Sequence, residues 1–376
     1  MTWSPQQDGA LRAVAHWMAA APGKGGAPQV FRLFGYAGTG KTTLAKEFAA
    51  NVDGSVLFGA FTGKAAHVLH KKGCFGASTI HSMIYKLEDD ASMAEPRFVL
   101  NHDSLVRDAA LVIIDEVSMV GEDLGRDLLS FGAPVLVLGD PAQLPPVKGQ
   151  GFFTASEPDV MLTEVHRQAR DSAIIRLATD VREGRGLSPC VEDGARVIGR
   201  ADISSEDVMK ADQVLVGLNK TRHLYNARMR KLKGIDGGAP VAGDKLVCLK
   251  NDRGKKLLNG SLWIADDVKA PSKTDRRDGT TRLTVFPEED DARAHSGVEV
   301  VVKNEFWDGG EAKLSWQEKR GTEEFTFGYA LTTHKAQGSQ WESVVVFDES
   351  GPFREDAWRW LYTAVTRAAK DLTVVR

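Results

Sequence analysis

Residues Gly35-Tyr-Ala-Gly-Thr-Gly-Lys41-Thr42 form a complete G-x-x-x-x-G-K-T, directly after the apolar run at 30–34 and before a helix-forming stretch. No other feature constrains the fold as strongly. Glycines at these spacings let backbone N–H groups close around phosphate oxygens at a helix N-terminus. The flanking strand and helix are the context that the pattern requires. A simple glycine turn needs neither, so the segment reads as a nucleoside triphosphate site. Lys41 would reach the β- and γ-phosphates and Thr42 would ligate Mg²⁺. Gly35, Gly38, Gly40 and Thr43 complete the loop and the start of its helix.

A loop of this kind belongs to an α/β fold, and the chain supplies one. Apolar runs at 56–61, 111–115 and 135–138 alternate with helical stretches. Unbroken Val/Ile/Leu runs between helices indicate a parallel sheet buried on both faces. Ser4, Pro5 and Gln7 form an S-x-x-Q capping box that predicts an opening helix. The alternation returns at 214–216, 325–331, 344–347 and 372–375, with helices predicted at 171–182, 220–232 and 355–366. Two α/β units follow, about 1–160 and 161–376. Residues 241–325 differ: β-like pieces at 245–249, 261–265, 282–286 and 298–302 are joined by polar turns. They read as a β-rich insert in the second unit. The polar stretch at 85–108 reads as a small hairpin excursion.

Two further segments carry chemistry. Leu111-Val-Ile-Ile-Asp115-Glu116 is an apolar strand ending in two acids. One carboxylate there belongs on the Mg²⁺ shell and the next beside an attacking water, with Glu116 as general base. Val137-Leu-Gly-Asp-Pro-Ala-Gln143 ends a strand in a polar turn. It presents Gln143 at the carboxyl edge of the sheet, where a γ-phosphate would lie.

Taken together, Gly35–Thr42, Asp115-Glu116-Val-Ser and Gly139-Asp-Pro-Ala-Gln143-Leu-Pro-Pro resemble motifs I, II and III of superfamily 1 DNA helicases. Phe61-Thr62-Gly-Lys64 resembles motif Ia, with Ser78-Thr79-Ile-His81-Ser after it. Leu162–Gln168 resembles motif IV, Tyr329–Ser339 motif V and Leu361–Ala368 motif VI. The Ser-Thr-Ile-His-Ser and Thr-His-Lys-Ala-Gln-Gly forms are similar to those of the RecD-like branch, which moves 5′→3′. The resemblance covers nearly the whole chain. It implies an α/β fold of two RecA-like P-loop NTPase domains, with a duplex-splitting hairpin insert and a β-rich SH3-like insert.

The resemblance also implies roles. Gln7, or its neighbour Gln6, matches the glutamine that reads adenine. Arg167 and Arg367 match arginines offered to the γ-phosphate across the cleft, where they stabilise transition-state charge only on closure. Gly338 falls in the nucleotide-facing part of motif V. Thr62, Lys64, Thr79, His81, Thr333, His334 and Lys335 match a single-strand track, although either histidine alone also suits a structural place. Phe98 is either the aromatic that stacks on the junction base pair or core of the hairpin. Lys245, Lys250, Arg253, Lys255 and Lys256, with Asn259-Gly260 as a turn, resemble the SH3-like module. Trp307 and Trp316 have no counterpart.

Composition sets bounds on these readings. Lys plus Arg is 48 against 51 Asp plus Glu, so the net charge of -3 excludes nucleic-acid binding by bulk charge. Charge is segregated instead: residues 1–80 carry eight basic and three acidic residues, and 81–130 four and eleven. Hydrophobic residues at 42% fit a soluble globular chain. Three dispersed cysteines suggest neither a disulfide framework nor a zinc site. With no apolar run of membrane length and no leader-like N-terminus, a cytoplasmic protein is expected. The expected partners are single-stranded DNA and single/double-strand junctions, with ATP and Mg²⁺ as cofactors and a monomer sufficing. Three rivals remain: a DNA-stimulated translocase with little unwinding, a small-molecule phosphotransferase, and a single-strand-binding module that does not hydrolyse ATP.

Overall fold

The structure, a computed structural model, describes residues 3–23, 25–88, 97–147, 149–164, 172–252, 254–288 and 297–376. A six-stranded, wholly parallel sheet carries the P-loop. Its order, edge to edge, is Ser78–Thr79, Val56–Ala60, Leu111–Asp115, Val135–Gly139, Val30–Gly35 and Val160–Leu162. The two central strands Leu111–Asp115 and Val135–Gly139 are buried at every position, which is why they read as unbroken apolar runs. On one face the helices Pro5–Ala19 and Lys41–Ala50 bury Val14, Trp17, Leu44 and Phe48. Ile80–Ile84 and Glu122–Leu129 cover the other. This double wrapping leaves only the strand ends open, and the P-loop, Asp115 and Asp140 all lie at carboxyl ends.

The second sheet runs Ala330–Thr332, Gln213–Val216, Trp341–Phe347, Ala368–Val375, Ala195–Ile198 and Cys190–Glu192. All are parallel except the last, an antiparallel edge. A five-stranded antiparallel sheet is built from Val298–Lys303, Thr280–Pro287, Leu262–Val268, Lys245–Cys248 and Phe325–Phe327. The apolar run at 325–331 therefore corrects to two strands in two different sheets. Gly328 makes the transition, because a Cβ there would lie 2.8 Å from the carbonyl carbon of Leu246. Trp307 packs on Phe327 with ring centroids 5.5 Å apart and belongs to the antiparallel sheet's core. Tyr85–Glu88 and Arg97–Leu100 pair as an antiparallel hairpin with Leu87 opposite Phe98. Among the described residues, no helix is long and apolar enough to cross a membrane.

A buried ion pair fixes the antiparallel sheet to the second parallel one. Asp244 is fully buried and accepts from Arg230 Nε and Nη2 at 3.0 Å each, from the Tyr329 hydroxyl at 3.0 Å and from the Val241 N–H at 2.8 Å. Removing one partner of such a pair strands the other charge in a medium that cannot solvate it. Asp244→Ala is expected to destabilise this half by about 3–5 kcal/mol, read as a lowered urea midpoint. A loss below about 1 kcal/mol would mean that the Gly237 and Ala239 carbonyls, each 2.6 Å from Arg230, hold the guanidinium unaided.

Candidate active site

Between the strand Val30–Gly35 and the helix Lys41–Ala50, Gly38 and Gly40 adopt φ of 79° and 81°, a region that costs a glycine nothing. The backbone thereby closes into a loop around the Lys41 amine. Lys41 Nζ crosses the loop and donates to the carbonyls of Gly35 (2.6 Å) and Tyr36 (3.1 Å). Thr42 Oγ1 donates to Asp115 Oδ2 at 2.9 Å, while Asp115 Oδ1 accepts the Glu116 N–H at 2.8 Å. Burial, and then the Glu116 charge, push the Asp115 carboxyl up; Lys41 and the two hydrogen bonds oppose them. Glu116 itself sits at φ 54°, a left-handed backbone that a non-glycine residue rarely adopts.

A hydroxyl and a carboxylate oxygen converging beside a phosphate loop are the donor set that Mg²⁺ takes when substrate phosphates supply further ligands. Among the described residues no cluster of three or more His, Cys, Asp or Glu could hold a metal by itself. The residues thus fit a cation that arrives with its nucleotide.

The loop opens into a cleft of about 890 Å³. One wall is formed by Gly38–Thr43, Asp115, Glu116 and Gln143. The other, from the second sheet's half, is formed by Gly338–Glu342 and Arg367. Gln143 is buried and its Oε1 has no donor. Arg367 is buried with hydrogen bonds to neutral oxygens: the carbonyls of Thr363 (3.0 Å) and Ser339 (3.1 Å) and the Thr366 hydroxyl (3.2 Å). Gly338, at φ 75°, brings this wall against the first half, for a Cβ there would lie 2.9 Å from Ala65 Cβ. Arg167 lies outside the described residues.

Gln7 is held against the P-loop. Its Oε1 accepts the Ser4 N–H at 3.0 Å and its Nε2 donates to the Thr39 carbonyl at 3.1 Å. With the side chain buried, that amide ties the first helix to the P-loop. Gln6 is also engaged, with Thr163 and the Glu164 N–H. An aromatic face beside the loop is Tyr36, capped by the Arg182 guanidinium 3.6 Å from its ring centre.

Sequence reasoning missed the seam between the halves. The Tyr362 hydroxyl donates to Asp140 Oδ2 at 2.7 Å and accepts the P-loop Ala37 N–H at 3.1 Å. Leu144 gives its N–H to Thr363 Oγ1 (2.9 Å) and takes the Gln337 amide on its carbonyl (2.9 Å). Its side chain, with Ala142, is buried in the second half's core. In the sequence Asp140 appears only within the polar turn of motif III, and Tyr362 only within the stretch that resembles motif VI.

Comparison with known proteins gives these elements a common origin. Residues 12–197 match the model of an AAA domain, and 327–375 that of a UvrD-like helicase C-terminal domain. The ATP-dependent RecD2 DNA helicase of Deinococcus radiodurans is 30% identical over 89% of this chain and 45% of its own length. The RecBCD enzyme subunit RecD of Mycobacterium tuberculosis is 27% identical over 70% and 49%. The chain belongs to the superfamily 1 helicases, on their RecD-like branch. It spans about half the length of these curated relatives. Among solved structures, Pif1 helicase from Bacteroides with ADP-AlF3 and single-stranded DNA superposes over 100% of this chain and 92% of that one. The TM-score is 0.59 at 18% identity, a likeness of fold. The fold is thus of the RecA-like P-loop type.

Within this helicase fold, the candidate track residues divide. His81 is exposed, flanked by the rings of Phe61 and Tyr85 at 6.1 and 5.6 Å. His334 is half-buried against Phe353. Burial pulls the His334 imidazole and the Lys335 amine below their ordinary values, and the flanking rings, which keep water from part of the His81 imidazole while the rest of the residue stays exposed, pull it the same way. The hydroxyls of Thr62 and Thr79 each accept a backbone N–H, from Ala65 and Ser82, and so cap the helices that follow. Three of these residues are buried. Thr333 is fully buried with its hydroxyl toward the Val216 carbonyl, Thr79 is buried in its cap, and Lys64 turns into the nucleotide cleft over the Trp341 ring. Phe98 is 70% exposed and is not hairpin core. Of the insert's basic residues, Lys245 and Lys255 are paired with Glu288 and Glu323; Arg253 lies outside the described residues.

Proposed function

We propose that this chain is an ATP-driven DNA helicase that moves 5′→3′ along single-stranded DNA and separates duplex ahead of it. The observation that carries this reading is the cleft. Lys41, Thr42, Asp115, Glu116 and Gln143 from one half face Arg367 from the other across a single space. A small-molecule kinase has no use for a second wall of that kind. In this reading the loop amides and Lys41 bind the β- and γ-phosphates, and Thr42 with Asp115 would hold Mg²⁺, which supplies charge neutralisation when bound. Glu116 takes the proton from water, and Gln143 orients that water with its free acceptor. Arg367, whose present partners are all neutral, can exchange them for a γ-phosphate as the halves close. Arg167 has the same role by motif. One chain holds all of these groups, so a monomer suffices.

Exposed His81 and half-buried Thr62 and His334 support a single-strand track across the two halves, with Lys335 beneath it. Direction rests on the Ser78–Ser82 and Thr333–Ser339 motif forms. We read the five-stranded sheet as the SH3-like module and the hairpin as the wedge. Leu87 (53% exposed) and Phe98 form an apolar pair that would meet the junction base pair.

Forked duplexes with a 5′ or a 3′ tail test the polarity, with unwinding of the 5′-tailed substrate expected. Phe98→Ala should slow strand separation by at least about fivefold while translocation on single strands stays within twofold. Equal loss of both would remove the wedge role, and preference for the 3′ tail would remove the polarity.

A further inference from the structure

The seam beside the cleft contains a link that the roles above do not use. Tyr362 is 1% exposed and lies on the helix Ala357–Val365 of the second half, yet both bonds of its hydroxyl go to the first. The direction of each bond is determined. An amide N–H can only donate, so the hydroxyl accepts from Ala37, and its one proton goes to Asp140. Asp140 is 1% exposed, and its other oxygen accepts the Ala142 N–H at 3.0 Å, in the turn that presents Gln143. Burial and then the Asp140 charge raise the phenol well above its usual range, and burial pushes the Asp140 carboxyl up as well.

We propose that Tyr362 is the positioning residue through which closure of the two halves sets Gln143 and the P-loop together. Its hydroxyl ties a P-loop amide to the carboxylate that shapes the Gln143 turn, and it can make both bonds only when the halves are closed. Separation of the halves would break both at once, leaving Asp140 Oδ2 without this donor and Ala37 without its acceptor. Hydrolysis is then efficient only in the closed arrangement. This rests on the reading of the chain as a nucleic-acid-stimulated motor, because single-stranded DNA spanning both halves is what would favour closure.

Tyr362→Phe keeps the ring and its packing and deletes only the link. ATP hydrolysis is measured at saturating and limiting ATP, with and without an unstructured oligodeoxynucleotide. The expected result is a DNA-stimulated kcat about tenfold lower, a KM for ATP within about twofold, and a smaller ratio of stimulated to basal rate. Asp140→Asn, which keeps Tyr362, should lower the same ratio, and the double variant should be no worse than the more impaired single one. A merely structural tyrosine would lower the unfolding temperature and scale both rates equally. An unchanged ratio, or additive losses in the double variant, would overturn the proposal. If the wild type itself is indifferent to DNA, the motor reading fails first. If it is stimulated and Tyr362→Phe matches it, only the role of Tyr362 fails.

Discussion

Lys41→Ala is expected to lower ATP turnover by at least about a thousandfold, the scale of a cation that faces transferring phosphoryl oxygens. The geometry leaves little room for substitution. Lys41 opens the helix Lys41–Ala50, and its amine is already inside the loop on the Gly35 and Tyr36 carbonyls. A phosphate entering that loop therefore meets a charge held in place by the loop itself. The alanine variant should fold, because Lys41 is only partly buried and the core beneath is built from Leu44, Ala45 and Phe48. A phosphate-release assay alongside a thermal melt separates the two effects. Brisk hydrolysis by a pure, folded variant would end the assignment of this loop as the catalytic site.

The second large effect is expected at Glu116. Glu116→Gln keeps the shape and hydrogen-bonding reach of the side chain but removes its basicity, and turnover should fall by about 10²–10⁴. ATP affinity should stay near the wild-type value, since Glu116 is assigned to the water and not to the nucleotide. The backbone supports that division. A left-handed φ at a non-glycine residue costs on the order of 1–3 kcal/mol, and here it turns the side chain that follows the buried strand Leu111–Asp115 toward the cleft. The variant should accumulate as an ATP-bound species that single-turnover mixing detects. Wild-type turnover would show that another group accepts the proton.

The sequence made the phosphate site legible because its chemistry is local. A loop, its strand and its helix are contiguous, and Thr42 meets Asp115 because the helix it opens follows one strand of the parallel sheet while Asp115 ends another. The opening helix was likewise legible from Ser4 and Gln7, whose capping box forms as the spacing requires. The same Gln7 shows where such reasoning stops. Its second bond, to the Thr39 carbonyl, joins residues 32 apart and cannot be read from periodicity. Side-chain direction is the general difficulty. Thr333 and His334 are adjacent in one motif, yet one is fully buried and the other half-exposed. The run at 325–331 reads as one strand because apolar character does not say which sheet a strand joins. The short strands Val160–Leu162, Cys190–Glu192 and Ala195–Ile198 carry too few residues for a pattern. The seam through Tyr362 and Asp140 spans 222 residues and arises only when two separately wound sheets meet.

Coupling between the cleft and a nucleic-acid strand is the central claim, and one measurement reaches it directly. Steady-state ATP hydrolysis is followed with and without a single-stranded oligodeoxynucleotide, with Lys41→Ala as the control for a contaminating ATPase. The account predicts strong stimulation by the oligonucleotide that disappears in the variant. Turnover that is abolished by Lys41→Ala yet indifferent to DNA would contradict it, leaving a correctly read cleft with no strand to drive.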